Sequence, residues 1–150
     1  MALRWTTALS IGVPELDAQH EELFGRVDRL LDAMLVHDRT EAVRLIGFLE
    51  RYVDEHFAAE ERLMRESDYP DRELHTAEHR AFRADIAGLV ESLAAEGTTA
   101  RLVLRLEREV TSWLRDHVYS TDLCLGRWLV SRAASVAPVA EAARASADAA

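Results

Sequence analysis

Four runs of this 150-residue chain set their apolar residues three and four positions apart, and that period leaves little choice of fold. A stripe with helical period must be buried against other helices, whereas a half-buried strand alternates every second residue. The first run, from about Asp17 to His37, carries Leu23, Phe24, Val27, Leu30, Leu31 and Met34. Asp17 suits its N-cap, and Glu21 and Glu22 suit its first turn. The second, from about Thr40 to Glu66, reads Leu45, Leu49, Val53, His56, Glu60 and Leu63, and Ser67, Asp68, Tyr69 and Pro70 break it. The third, from about Asp71 to Ala95, reads His75, His79, Phe82, Ile86, Leu89 and Leu93; Gly97 stops it, and Thr98 or Thr99 caps the next. The fourth, from about Thr99 to Val118, reads Val103, Leu106, Val110, Trp113 or Leu114, and His117. Connections of only a few residues make consecutive helices antiparallel. The expected fold class is all-α, an up-down-up-down antiparallel four-helix bundle with a C-terminal extension. No Val/Ile-rich alternating run argues for strands.

Three of these stripes run on into histidine, and the first run has His20 near its start. Residues four apart on a helix stand roughly 6 Å apart on one face, so His56 with Glu60, and His75 with His79, each address one small volume. The second helix ends, and the third begins, with its pair, which puts both pairs at one level of an antiparallel bundle. His20 and His117 reach the same level from the first and fourth helices. Asp122, five residues past His117 and beyond the expected helix end, can fold back over it. His37, at the opposite end of the first helix beside Asp38, stays outside the set.

Taken singly, an inward histidine is usually a hydrogen-bonded core residue and a lone glutamate a solvated charge. Buried together without partners, five imidazoles and two carboxylates would carry a desolvation cost of several kcal/mol per charge, so the set points to metal. Imidazole suits zinc, copper, iron and nickel, and the chain has no thiolate cluster. Seven protein ligands exceed one octahedral ion, which implies two metals, typically ~3.5 to 4 Å apart when carboxylates bridge them. With Glu60 and Asp122 bridging and a hydroxide shared, two octahedral ions have every position filled but one. An open position with no acidic side chain assigned to turnover suits a small ligand, and redox-active iron with dioxygen is the natural pair.

Composition narrows the partners. The net charge of −9 repels phosphate backbones and anionic membrane surfaces, which argues against nucleic acid and membrane partners. No stretch approaches the ~18 apolar residues needed to span a bilayer. The opening MALRWTTALSIGVPELD lacks the pattern of a secretory leader, and a single cysteine, Cys124, fits a reducing compartment; a cytoplasmic location is expected. Length and apolar content suit one domain over residues 1–130. Residues 131–150, half alanine with Pro138 among them, are expected to form a mobile or loosely helical tail. Leu125, Trp128 and Leu129 either cover the bundle or offer a contact to a protein partner or a second copy, and Cys124 is expected to be a small packing residue.

DAQHEELF (Asp17 to Phe24), HFAAEERLM (His56 to Met64), YPDRELHTAEHRAF (Tyr69 to Phe82) and WLRDHVYSTD (Trp113 to Asp122) together resemble the hemerythrin family, specifically its single-domain bacterial members, over roughly residues 1–130. The resemblance implies reversible dioxygen binding, rather than catalysis, at two non-heme iron ions joined by an oxo or hydroxo bridge. By matching positions it implies that His75, His79 and His117 hold one iron, that His20 and His56 hold the other, and that Glu60 and Asp122 bridge them. Dioxygen is then expected at the open position on the His20/His56 iron, behind a dry apolar wall. Leu114 matches a pocket residue of the family, and Trp113, Phe24 and Phe57 are candidate neighbours. The family's bacterial members carry a polar stretch where this chain has Leu123, Cys124 and Leu125, and they end soon after it.

Two other readings use parts of the pattern. HTAEH satisfies an HxxEH metalloprotease pattern with Glu78 as general base, but that leaves His20, His56, Glu60, His117 and Asp122 without work. A ferritin-type oxidase uses Glu-x-x-His at three-residue spacing, whereas here histidine precedes glutamate by four. A peroxidase, ferroxidase or iron-handling activity could use the same ligands and is the alternative to dioxygen carriage.

Overall fold

The computed structural model describes residues 3–134. Helices α1 (Pro14–Leu35), α2 (Arg39–Glu66) and α3 (Arg72–Glu96) are followed by α4, one continuous helical run over residues 100–134. Short turns at 36–38, 67–71 and 97–99 join them. α2 packs against α1 and α3, and α4 against α1 and α3, which is the up-down-up-down bundle. No helix among the described residues is long and apolar enough to cross a membrane.

The ends of the helices follow local chemistry. The Asp38 carboxylate accepts from the Glu41 amide at 3.0 Å to cap α2, and the Thr99 hydroxyl accepts from the Leu102 amide at 3.2 Å to cap α4. Gly97, at φ 75°, ends α3. Asp17 is not the cap of α1, which begins earlier, at Pro14, where the missing N–H of proline has no partner to lose. Asp17 instead accepts from the Ser10 hydroxyl at 2.5 Å and the Ile11 amide at 2.8 Å, tying the N-terminal arm to the first turns of α1. At the opposite end of the bundle His37, at φ 59°, donates its Nδ1–H to the Thr98 carbonyl at 3.1 Å and joins two turns.

The stripes meet in one core. Leu23, Phe24, Val27, Leu30, Leu31 and Met34 of α1, Ile46, Leu49 and Val53 of α2, and Phe82, Ile86, Leu89 and Leu93 of α3 are all buried in it. Helix α4 departs from expectation, because it does not end near Val118. Leu102, Leu106, Val110, Leu114 and Val118 are buried at a constant spacing of four. In a regular α-helix each step of four overshoots a full turn by roughly 40° and would carry the stripe off the core. A π-helical segment inside the stripe, Glu107–Ser112, widens the turns and brings it back, and a second π segment, Val118–Asp122, follows its last residue.

Beyond Asp122 the helix covers the α2–α3 turn. Leu125 is fully buried against Met64 and Tyr69, and the Trp128 indole donates to the Ser67 carbonyl at 3.1 Å. Residues 131–134 continue α4, and the remainder of the expected tail lies outside the described residues. Cys124 is exposed, not a packing residue. It follows Asp122 by two positions, about 200° around the helix, so it faces away from the buried side that Asp122 occupies.

Candidate metal centre

The bundle brings all seven sequence-predicted ligands to one buried level. His20 comes from α1, His56 and Glu60 from α2, His75 and His79 from α3, and His117 and Asp122 from α4, and none is more than 4% exposed. The arrival of Asp122 is the part that spacing alone misplaces. Five residues of α-helix would turn it well away from His117, but the π turn over Val118–Asp122, with its i to i+5 hydrogen bonds, stacks it on the same face.

Each carboxylate divides its oxygens between two histidine groups. Glu60 Oε1 lies 3.4 Å from His20 Nε2 and 3.2 Å from His56 Nε2, while Oε2 lies 3.4 Å from His75 Nε2 and 3.0 Å from His79 Nε2. Asp122 Oδ2 lies 3.0 Å from His20 Nε2, while Oδ1 lies 3.0 Å from His75 Nε2 and 2.9 Å from His117 Nε2. Two sets of ligand atoms result, each within 4.8 Å: Glu60, His75, His79, His117 and Asp122, and His20, His56, Glu60 and Asp122.

These separations resemble ion pairs, yet the Nε2 atoms of His20, His75, His79 and His117, and all four carboxylate oxygens, lack a hydrogen-bond partner. The atoms point at common centres rather than at one another. Eight orphaned buried polar atoms around two points would be costly in a protein without metal, and they fit a pair of cations. Electrostatics agrees. Burial pushes the imidazoles of His20 and His75 down, but the carboxylates of Asp122 and Glu60 close beside them outweigh it and hold both at about 9. His117 is raised against burial by Asp122. Burial works against ionisation of Glu60 and Asp122, and the surrounding histidines nevertheless hold both below the usual carboxylate range. The cavity favours positive charge, as protons or as metal.

A second ring of side chains aims the imidazoles, and sequence reading missed it. His56 Nδ1 donates to Gln19 Oε1 at 2.7 Å, His79 Nδ1 to Glu61 Oε1 at 3.0 Å, and His117 Nδ1 to Glu78 Oε2 at 2.7 Å. Such bonds fix the tautomer with Nε2 free for metal. Glu78 also accepts from the Thr121 hydroxyl at 3.0 Å, so its carboxylate is a support for His117 and not a base beside an isolated HTAEH zinc. Gln19, Glu61 and Glu78 each adjoin a ligand in sequence but serve a histidine on another helix, which is why no spacing rule picks them out. Arg83 bonds Glu61 at 3.2 Å and Asp54 at 3.0 Å.

Aromatic rings close the sides. Phe57 stacks on His79 with centroids 3.7 Å apart and planes 4° apart, and Trp113 stacks on His117 at 4.3 Å and 13° and on Phe82 at 3.9 Å and 12°. Phe57 also stands 5.8 Å from the His56 ring. Phe24 and Leu114 are buried in the same core at 1% and 2% exposure.

The model of the hemerythrin HHE cation binding domain matches residues 11–129, a span that contains all seven candidate ligands. The chain belongs to the hemerythrin family. It is 29% identical to the bacteriohemerythrin of Aquifex aeolicus (81% of this chain and 93% of that one), and 32% identical to that of Methylococcus capsulatus (84% and 96%). A myohemerythrin of Theromyzon tessulatum is 24% identical over 79% of this chain and 87% of its own. The crystal structure of a hemerythrin mutant superposes with a TM-score of 0.77 at 30% identity, covering 86% of this chain and 98% of that one. Hemerythrins are non-heme iron, oxygen-binding proteins and are not in general enzymes. The cluster of this hemerythrin can hold metal in the way its family membership implies.

Proposed function

We propose that this hemerythrin binds dioxygen reversibly at a di-iron centre held by His75, His79 and His117 on one side and His20 and His56 on the other, with Glu60 and Asp122 bridging. The observation that carries the reading is the division of oxygens: each carboxylate sends one oxygen to the three-histidine group and the other to the two-histidine group. Ferrous iron supplies the electrons that reversible dioxygen binding requires. The two-histidine group has one imidazole fewer, and an exogenous ligand finds room there.

The chain's own residues then have distinct tasks. Gln19, Glu61 and Glu78 hold the imidazoles in the tautomer that presents Nε2 inward. Phe24, Phe57, Trp113 and Leu114 form the dry wall of the dioxygen pocket, excluding the water and stray protons that would turn reversible binding into irreversible oxidation. Every acidic group touching the centre is either a bridging ligand or committed to a histidine, so none is free to deliver protons for turnover.

Iron and zinc per purified chain, followed by visible spectra of the dithionite-reduced protein before and after oxygen, test the reading. Two irons and an absorption band that oxygen raises and deoxygenation removes support it. One zinc and no band would overturn it, and sustained turnover of peroxide or ferrous iron would move it to an enzyme.

A further inference from the structure

A cleft of about 530 Å³ opens between α2 and α3 near the metal-bearing end, lined by Glu61, Arg65, Arg72, Glu73, Thr76 and Arg80. We propose that it binds a phosphate chain: free pyrophosphate, or the same group on a larger molecule.

All 18 basic residues of the chain are arginine, and most of those described are engaged with carboxylates, a carbonyl or an aromatic ring. Arg4, Arg65, Arg72, Arg80 and Arg127 are the described arginines with no such partner, and three of these five line this one cleft. Arg72, Thr76 and Arg80 follow one another at intervals of four along one side of α3, and Arg65 faces them from the last turn of α2. Of the two carboxylates, Glu61 is committed to His79 and Arg83, which leaves Glu73 against three guanidinium groups. In a chain of net charge −9 this is a local reversal of sign.

The donor set selects the ligand. Guanidinium forks match phosphate oxygens in pairs, and the Thr76 hydroxyl adds a donor between Arg72 and Arg80. Those two arginines stand eight residues apart, about 12 Å of helix rise, which suits linked phosphates better than a single one. No apolar or aromatic side chain lines the cleft, so a nucleoside attached to the chain would gain no stacking contact.

The test is calorimetric titration of the iron-loaded full chain with sodium pyrophosphate, and separately with ADP, at fixed ionic strength in chloride. Pyrophosphate is expected to bind one-to-one with a dissociation constant below about 1 mM, weakened at least about tenfold in R72Q/R80Q. Arg127→Gln, which removes an unpartnered arginine outside the cleft, should leave binding within about twofold. Equal affinity for ADP assigns the site to phosphate esters as well as free pyrophosphate, while absence of ADP binding restricts it to the free anion. The inference is overturned if no saturable heat appears, if R72Q/R80Q binds as well as the parent, as heat from iron extraction would, or if Arg127→Gln weakens binding equally.

Discussion

Gly126→Ala probes the part of α4 that runs on past Asp122. A Cβ at position 126 would lie 2.1 Å from the Ile11 carbonyl oxygen and 2.8 Å from Ile11 Cβ, far inside van der Waals contact. The arm cannot simply swing away. Ile11 is 3% exposed, and its amide is bonded to Asp17, which also holds Ser10. Relief requires a backbone shift of about 1 Å, and overpacking of that kind costs about 1–3 kcal/mol. Weakening the Ile11–Asp17 hydrogen bond adds about 1 kcal/mol. Together the loss is roughly 3 kcal/mol, which for a domain of this size lowers Tm by about 10 °C. Gly88→Ala is the control: its added Cβ meets nothing closer than the Arg105 guanidinium at 4.0 Å. In mid-helix that change should stabilise by about 0.5–1 kcal/mol. Thermal unfolding followed by circular dichroism, at matched iron content, reads both. Because Gly126 lies one helical turn beyond Asp122, the shifted helix should also release iron to a chelator faster than the parent does. If Gly126→Ala unfolds at the parental temperature, the arm does not pack on α4 and the steric reasoning fails.

Other expectations concern the centre itself. Glu78→Ala, which removes the acceptor of His117 Nδ1, should weaken iron binding about 10- to 100-fold, with Glu78→Gln milder because an amide oxygen still accepts; equal affinity in all three proteins would deny Glu78 its positioning role. His56→Ala should weaken the two-histidine iron most, and dioxygen binding that survived it intact would refute the ligand assignment. In the metal-free protein, His20 and His75 are held at about 9, above their usual 6.5. Groups raised on folding contribute stability that is complete below about pH 6.5 and is lost as pH rises through about 9. Glu60 and Asp122, lowered on folding, contribute above the ordinary carboxylate range, a contribution lost as pH falls. Urea midpoints of the metal-free protein should therefore fall between pH 6.5 and 9 while those of the iron-loaded protein stay level, and parallel curves would contradict the assigned ionisation.

What the sequence disclosed divides along a physical line between repeating geometry and contacts made across helices. The four stripes, and the pairs His56/Glu60 and His75/His79, follow from the pitch of a single helix, so spacing predicted that they would face one volume. Gln19, Glu61 and Glu78 were hidden because each bonds a histidine on a different helix, and only the assembled bundle sets those distances. Asp122 lay between the two cases. Its distance from His117 looked like a loop because an α-helix cannot bring residues five apart onto one face, and the sequence carried no obvious breaker to mark an irregular turn. The buried spacing of Leu102, Leu106, Val110, Leu114 and Val118 was the available signal, since four successive fours cannot follow one face of an unbroken α-helix. The π turn over Val118–Asp122 carries Asp122 to the centre, and the helix continues past it far enough for Leu125 and Trp128 to cover the α2–α3 turn beside it. One irregularity thus places a candidate ligand and the packing next to it. That coupling is why a change at Gly126, which touches no ligand, is expected to be felt at the metal.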